Sequence, residues 1–296
     1  MRVTRRNFLK RTSAAAAVLF AANVTSADAD RQFAPFDKMM QNFLAAHGVP
    51  GGSIAVSRNR EIVYSNGFGL ANVEKKQAVY ADSLFRIASI SKPITAVAML
   101  RLVDAGKVKL DEPVLKFVRL KPHLEAGQKM DPRWHLITVR HCLQHTGGWD
   151  RDKSGDPIGI PRKIAMALKQ ELPVAPEDVV RYMMGRPLDF DPGLEFSYSN
   201  LGYLVLGRII ETVTGRKYEE YVRKEVLAPL GIQRMQLGRA LPENRAKGEV
   251  HYYDSKKATG RCLYPPRFGV RVPFPDGAAN LEAYESHGGW IASAAD

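Results

Sequence analysis

Ser89 and Lys92, in the run FRIASISKPIT, stand three residues apart. On a helix that spacing puts a hydroxyl and an amine on one face, one turn from each other. An amine beside a hydroxyl can activate a weak nucleophile. Tyr198 and Asn200, in FSYSNLGY, are two apart. On an extended segment both side chains then point the same way. Together the four residues supply a nucleophile, two candidate bases and an amide donor, which are most of the parts of an acyl-transfer site. Ser-x-x-Lys by itself arises by chance in any lysine-rich chain. Its place at the opening of an apolar helix, with Tyr-x-Asn downstream, makes the signal stronger.

The elements that must position these groups can be read locally. Pro93 has no N–H and is tolerated in a first helical turn. A helix is therefore expected from near Ser89 to near Gly106. Ile94, Val97, Ala98, Leu100, Leu102 and Val103 fill most of its surface, which predicts a helix buried rather than lying at the surface. A serine at its N-terminus would have free backbone N–H groups and the positive dipole end nearby, suited to an oxyanion on the carbonyl that Ser89 attacks. The plainer alternative is that Ser89 or Ser91 is an N-cap and Lys92 a solvated first-turn residue.

With these residues in place, the chain resembles the serine hydrolases related to class C β-lactamases, a superfamily that includes penicillin-binding D,D-peptidases and β-lactamase-like esterases. The resemblance runs from about Phe36 to the last residue. It is carried by SLFRIASISKPITA, ITVRHCLQHTGGWD, DFDPGLEFSYSNLGYLVLGRIIETVTG, VLAPLGI and SHGGWIASAAD. It implies an α+β, β-lactamase-like fold: an antiparallel sheet flanked by helices, plus a mostly helical lobe. It also implies an acylated Ser89, with Lys92 and Tyr198 sharing the base and proton-relay roles. Asn200 would orient Lys92 and donate to a substrate carbonyl. Trp149 and Asp150 would border the substrate. Members carry a third motif, Lys/His-x-Gly or a variant, on a strand across the site. His287-Gly288-Gly289 matches it by letters, but WIASAAD after it reads instead as an earlier Gly-Gly block leading into a helix, with Ser293 capping and Asp296 in the first turn. The expectation is thus that the third motif and its strands lie beyond Asp296, and that the truncated chain is inactive as it stands.

The N-terminus reads as an address. MRVTRRNFLKR carries Arg5 and Arg6 and resembles a twin-arginine export signal. SAAAAVLFAANV follows, too short to span a bilayer comfortably, and Ala27-Asp28-Ala29 fits a small-residue cleavage site. Residues 1–29 are therefore expected to be a signal peptide, handled by the twin-arginine machinery. Residues 30–296 are expected to form the β-lactamase-related domain, periplasmic or secreted, with no stable membrane anchor. The alternative is a basic N-terminal tail on a cytosolic protein.

Hydrophobic content of 45% and charged content of 25% over 296 residues allow a large core. Of the formal charge of +12, +4 lies in residues 1–29, leaving +8 on the remainder. That balance could favour anionic polymers or membranes, or simply aid solubility. No basic run with interleaved aromatics points to nucleic acid. Cys142 and Cys262 read as isolated thiols rather than a disulfide framework. No phosphate-cradling glycine loop or dinucleotide fingerprint is present, so no cofactor is expected.

Along the chain, FAPFDKMMQNFLAAHG reads as an opening helix, and GGSIAVSRN with REIVYSNGFG as an antiparallel hairpin turning at Arg58-Asn59-Arg60. Short helices follow, including TVRHCLQH and PEDVVRYMMG. SNLGYLVLGRIIETVTG is strongly apolar, YEEYVRKEVLAPLG partly amphipathic, and the chain beyond Leu241 irregular. His141 and His145 have the spacing of two zinc ligands, with His135 nearby, but no His-Glu-x-x-His glutamate lies between them. Asp189 and Asp191, before Pro192-Gly193, read as turn formers. Tyr252, Tyr253 and Tyr264 either line the cleft or pack loops. The leading function is an exported serine hydrolase acting on a small-molecule or peptide substrate: a β-lactam, a D-Ala-D-Ala peptide or a carboxylester. The alternative is a non-catalytic cell-wall or acyl-compound binding protein on the same fold, with a zinc hydrolase a distant third.

Overall fold

The computed structural model describes residues 26–296. Helix α1 (Ser26–His47) ends at Gly48, whose φ of 60° suits a residue without Cβ. It starts before the expected opening and runs through Pro35. Strands β1 (Gly51–Arg58) and β2 (Glu61–Asn72) form the expected antiparallel hairpin. Its two turn residues, Asn59 and Arg60, both have positive φ, the twist a two-residue hairpin turn requires. A short β3 (Gln77–Ala78) pairs on β2. Next, β4 (Phe85–Arg86) leads to a 3-10 turn at Ala88–Ile90 and then to α2 (Ser91–Asp104).

The helical lobe contains α3 (Val139–Leu143), α4 (Pro161–Leu168), α5 (Pro176–Met184), α6 (Asn200–Thr214) and α7 (Tyr218–Val222), the last extended by a π turn at Arg223–Leu227. Ser199 caps α6 by accepting the Gly202 N–H, and Gly215 ends it at φ 67°. Every residue from Asn200 to Ile210 is buried. Helix α6 is thus the centre of the lobe, in contact with α2, α3, α5 and α7. The main core gathers Met99, Leu102, Trp134, Ile137, Leu204, Ile209, Tyr218 and others around it. Each large apolar side chain so buried contributes roughly 1.5–3 kcal/mol.

Past α7 come β5 (Gln236–Leu237), β6 (Thr259–Arg261), β7 (Arg271–Pro273), α8 (Glu285–Gly288) and β8 (Trp290–Ala292). Strand β8 lies between β4 and β5, antiparallel to both. The architecture is therefore α+β, with antiparallel sheets flanked by helices and a helical lobe. Among the described residues no helix is long and apolar enough to cross a membrane.

Three expectations are corrected. The Ser89 helix begins two residues late: a 3-10 turn over Ala88–Ile90, entered through Ala88 in a left-handed conformation (φ 45°), precedes α2 at Ser91. That helix is also buried on one face only. Ser91, Lys92, Thr95, Ala98, Met99 and Leu102 face the lobe, while Val97 and Leu100 are exposed. Its apolar residues lie on both faces, so periodicity alone could not reveal that only one face meets α6, α7 and α8. Finally, HGGW runs from a short helix into strand β8 rather than directly into a helix, and His287 sits on α8, not on a strand. Ser293 and Asp296 do exchange the reciprocal bonds of a capping box: each side-chain oxygen accepts the other's backbone N–H, at 3.3 and 2.8 Å.

Candidate active site

Ser89, Lys92, Tyr198 and Asn200 come together. Ser89 is exposed on the 3-10 turn, while Lys92 is 4% exposed one turn into the lobe. Lys92 Nζ lies 3.2 Å from Ser89 Oγ, 2.7 Å from Asn200 Oδ1 and 2.9 Å from the His287 carbonyl oxygen. Tyr198 Oη donates to Ser89 Oγ at 2.7 Å, and Lys92 Nζ is 4.7 Å from the Tyr198 ring centre. Burial pushes the Lys92 ammonium below its ordinary pKa; the contact with Tyr198 and the charge of Asp156 oppose this, and Arg151 adds to it.

The supporting shell explains how the chain holds this geometry. The His145 ring stacks on Tyr198 with centres 4.6 Å apart, and its Nδ1 accepts the Ser199 N–H at 3.1 Å. Burial and then the Lys92 charge push the His145 imidazole down, which keeps it neutral as an acceptor. On α6, Asn200 Nδ2 donates to Asp156 Oδ2 at 2.7 Å. Helix α8 carries the carbonyl that meets Lys92, and it is fixed from three sides. Thr95 Oγ1 donates to the Ser286 carbonyl at 2.5 Å, Ser286 Oγ donates to the Tyr203 carbonyl at 2.9 Å, and Glu285 pairs with Arg208. Arg208 is 4% exposed and also binds Glu177 and Glu211. Burial pushes the Glu285 carboxyl up to about 7 against the pull of Arg208, with Glu211 and Glu177 adding to the rise.

The role of His287 here is its main chain. Its ring is buried, burial followed by the Lys92 charge pushes it down to about 3, and its Nε2 has no partner among the described residues. Sequence reasoning missed the His287 carbonyl, Asp156 and Arg208. A carbonyl has no side-chain signature, and the Asp156–Asn200 contact joins residues 44 apart.

One further expectation fails. Trp149 is buried in the core, 5.3 Å from Trp134, and does not border the cleft. His141 Nδ1 accepts the Thr138 N–H in a capping box, while His145 serves Tyr198. Among the described residues no group of three histidine, cysteine or carboxylate side chains could hold a metal. Asp189 binds Asp150 N and Ser154 Oγ, and Asp191 pairs with Arg133, so both serve loops. Tyr252 lies between Arg86 and Arg245, and Tyr264 is buried against Asn280 and Glu282. Cys142 and Cys262 are both free and buried. The groove of about 870 Å³ beside Lys217, Arg223 and Arg239 shares no residue with the Ser89 cluster.

Residues 36–296 match the family model described as Beta-lactamase. The chain belongs to the β-lactamase family. Among members and relatives, it is 33% identical over 259 residues to Esterase EstB of Burkholderia gladioli, covering 85% of this chain and 62% of that one. It is 30% identical over 223 residues to Protein flp of Staphylococcus aureus, covering 75% and 41%. The octameric penicillin-binding protein homologue from Pyrococcus abyssi superposes with a TM-score of 0.63 at 31% identity, covering 88% of this chain and 53% of that one. The chain thus spans less than two thirds of the length of these relatives.

The close approach of α6 and α8 makes one β-lactamase family element testable. A Cβ on Gly207 would lie 2.6 Å from Ser286 Oγ and 2.9 Å from Ser286 Cβ. Helix propensity alone favours Gly207→Ala by about 1 kcal/mol. Ser286 is held on both sides, so overpacking should prevail, and a net loss of about 1–3 kcal/mol is expected in a denaturant melt. A more stable variant would show that α8 can move freely.

Proposed function

We propose that the natural full-length protein is an exported serine hydrolase that forms an acyl-enzyme on Ser89 and releases it to water. The arrangement of contacts around Lys92 Nζ carries this reading. Asn200 Oδ1 and the His287 carbonyl can only accept, so each takes one hydrogen from the nitrogen. A neutral amine has two hydrogens, and both are then used. Its lone pair is left for the third neighbour, Ser89 Oγ. Lys92 is the base that removes the Ser89 proton as Oγ attacks the substrate carbonyl. Tyr198, bonded to the same Oγ, hands a proton to the leaving group as the bond to it breaks. Water then attacks the acyl ester by the reverse relay and frees Ser89.

Carboxylic esters are the preferred substrates in this reading. Ile90, next to Ser89, and Phe196, two residues before Tyr198, are 66% and 71% exposed and would offer apolar surface to an acyl or alkyl group. Resemblance to an esterase supports the same choice. A second reading rests on Arg151, whose guanidinium sits 4.9 Å from the Tyr198 ring centre without an ion pair among the described residues. It favours substrates bearing a carboxylate, such as a β-lactam or a D-Ala-D-Ala peptide. Turnover of a short-chain nitrophenyl ester, a chromogenic cephalosporin and a D-Ala-D-Ala peptide separates the two. Fastest turnover of the ester supports the first reading, and of either anionic substrate the second. Stoichiometric binding of a substrate without turnover would mark a binding protein instead.

Export is proposed on the sequence TRRNFLK and the small-residue site ending at Ala29. Residues 1–25 lie outside the described residues. With Arg5 and Arg6 both changed to lysine, the precursor should stay in the cytoplasm, visible as uncleaved protein after cell fractionation. Normal export of that double variant contradicts the twin-arginine route.

A further inference from the structure

Asn200 has two chemically opposite ends, and the base assignment depends on which of them meets Lys92. With Oδ1 inward, the amide takes a hydrogen from Nζ. With Nδ2 inward, the amide would offer a hydrogen, and the lone pair of a neutral Lys92 would turn toward it and away from Ser89. Nothing in the Asn200 side chain itself decides between the two. The decision comes from the other side of the amide, where a carboxylate oxygen of Asp156 stands 2.7 Å from Nδ2. An ionised carboxylate only accepts, so it fixes Nδ2 outward and Oδ1 inward. We propose that Asp156 is a positioning residue that locks the Asn200 amide with its oxygen on Lys92, and so aims the lone pair of the neutral amine at Ser89 Oγ. The proposal rests on the acyl-enzyme reading above.

Asp156 is well placed for this. Its other oxygen, Oδ1, accepts the Ile158 N–H at 3.2 Å and caps the 3-10 turn at Pro157–Gly159. The loop from Trp149 to that turn is thus anchored at the carboxylate that reaches Asn200. The groups facing Lys92 come from every neighbouring element: Asn200 and Tyr203 on α6, His287 on α8, His145 after α3, Tyr198, and Arg151 with Asp156 on the loop. Only Asp156 among them contributes a negative carboxylate to Lys92, and that charge favours the ammonium form.

Two substitutions separate the lock from the loop's stability. Asp156→Ser keeps a capping oxygen but is too short to reach Asn200. Asp156→Asn keeps the length but only one acceptor oxygen, which can serve either Asn200 Nδ2 or the Ile158 N–H, and loses the charge. Each is measured for the rate at which a fluorophosphonate labels Ser89, and for kcat and KM on the preferred substrate across pH. In the serine variant kcat is expected to fall about tenfold to a hundredfold with KM little changed, the size of a catalytic group slightly misplaced. The asparagine variant is expected to fall between the serine variant and the natural protein, because its one oxygen is shared between two donors. Both shift the acid limb of kcat/KM to lower pH, since both lose the charge. The double variant Asp156→Ser with Asn200→Ala is no slower than Asn200→Ala alone, because the lock acts only through the amide. Equal rates for the serine variant and the natural protein, or an added loss in the double variant, would overturn the proposal. Absence of any label on Ser89 in the natural protein would instead sink the acyl-enzyme reading, and this proposal with it.

Discussion

Ser89→Ala should abolish covalent labelling and lower turnover on the order of a millionfold, the cost of losing the nucleophile of an acyl-transfer site. No neighbouring hydroxyl can take its place. Ser91, two residues on, is fully buried, and its Oγ accepts the Trp290 N–H at 3.3 Å. The Tyr198 hydroxyl is directed at Ser89 Oγ itself. The protein should still fold, because the Ser89 side chain is exposed and its only hydrogen bonds among the described residues are those to Lys92 and Tyr198. Near-normal turnover in Ser89→Ala, in a protein that melts like the original, would end the acyl-enzyme account.

Removing either proton carrier should cost at least about a hundredfold in kcat. Lys92→Ala removes the base, and Tyr198→Phe removes the hydroxyl that relays to the leaving group. The two differ in their pH profiles. With Lys92 present, kcat/KM should rise with pH as the ammonium loses its proton and level off above the Lys92 pKa. Burial holds that pKa below the ordinary 10.5, so the plateau should begin earlier than for an exposed lysine. Lys92→Ala should lose this rising limb, while Tyr198→Phe should keep it at a lower rate. An unchanged limb in Lys92→Ala would reassign the base.

How much of this was legible in the sequence follows from the range of each interaction. Ser89 with Lys92, and Tyr198 with Asn200, are local pairs, so short spacing kept each pair together even though Ser89 lies on the 3-10 turn before α2 and Asn200 opens α6 instead of continuing an extended segment. The hairpin, α5 and α6 were equally legible, since each carries its own pattern, cap or turn. The late start of α2 was not, because an alanine carries no signal for the left-handed conformation and 3-10 turn found at position 88. Strand β8 escaped because WIA is short and meets its partners β4 and β5 only across long stretches of chain. The His287 carbonyl escaped for a chemical reason: every residue has one, and only the fold decides which of them meets Lys92.

The central claim is that Ser89 Oγ becomes acylated. Its most direct test is to mix the natural full-length protein with an ester or fluorophosphonate, quench it in acid, and measure intact mass and peptide masses. The expected result is a mass increase equal to one acyl or phosphonyl group per chain, carried by the peptide that contains Ser89. The adduct should form more slowly in Lys92→Ala and be absent in Ser89→Ala. An adduct carried by another residue, or substrate turnover with no adduct on Ser89, would contradict the account.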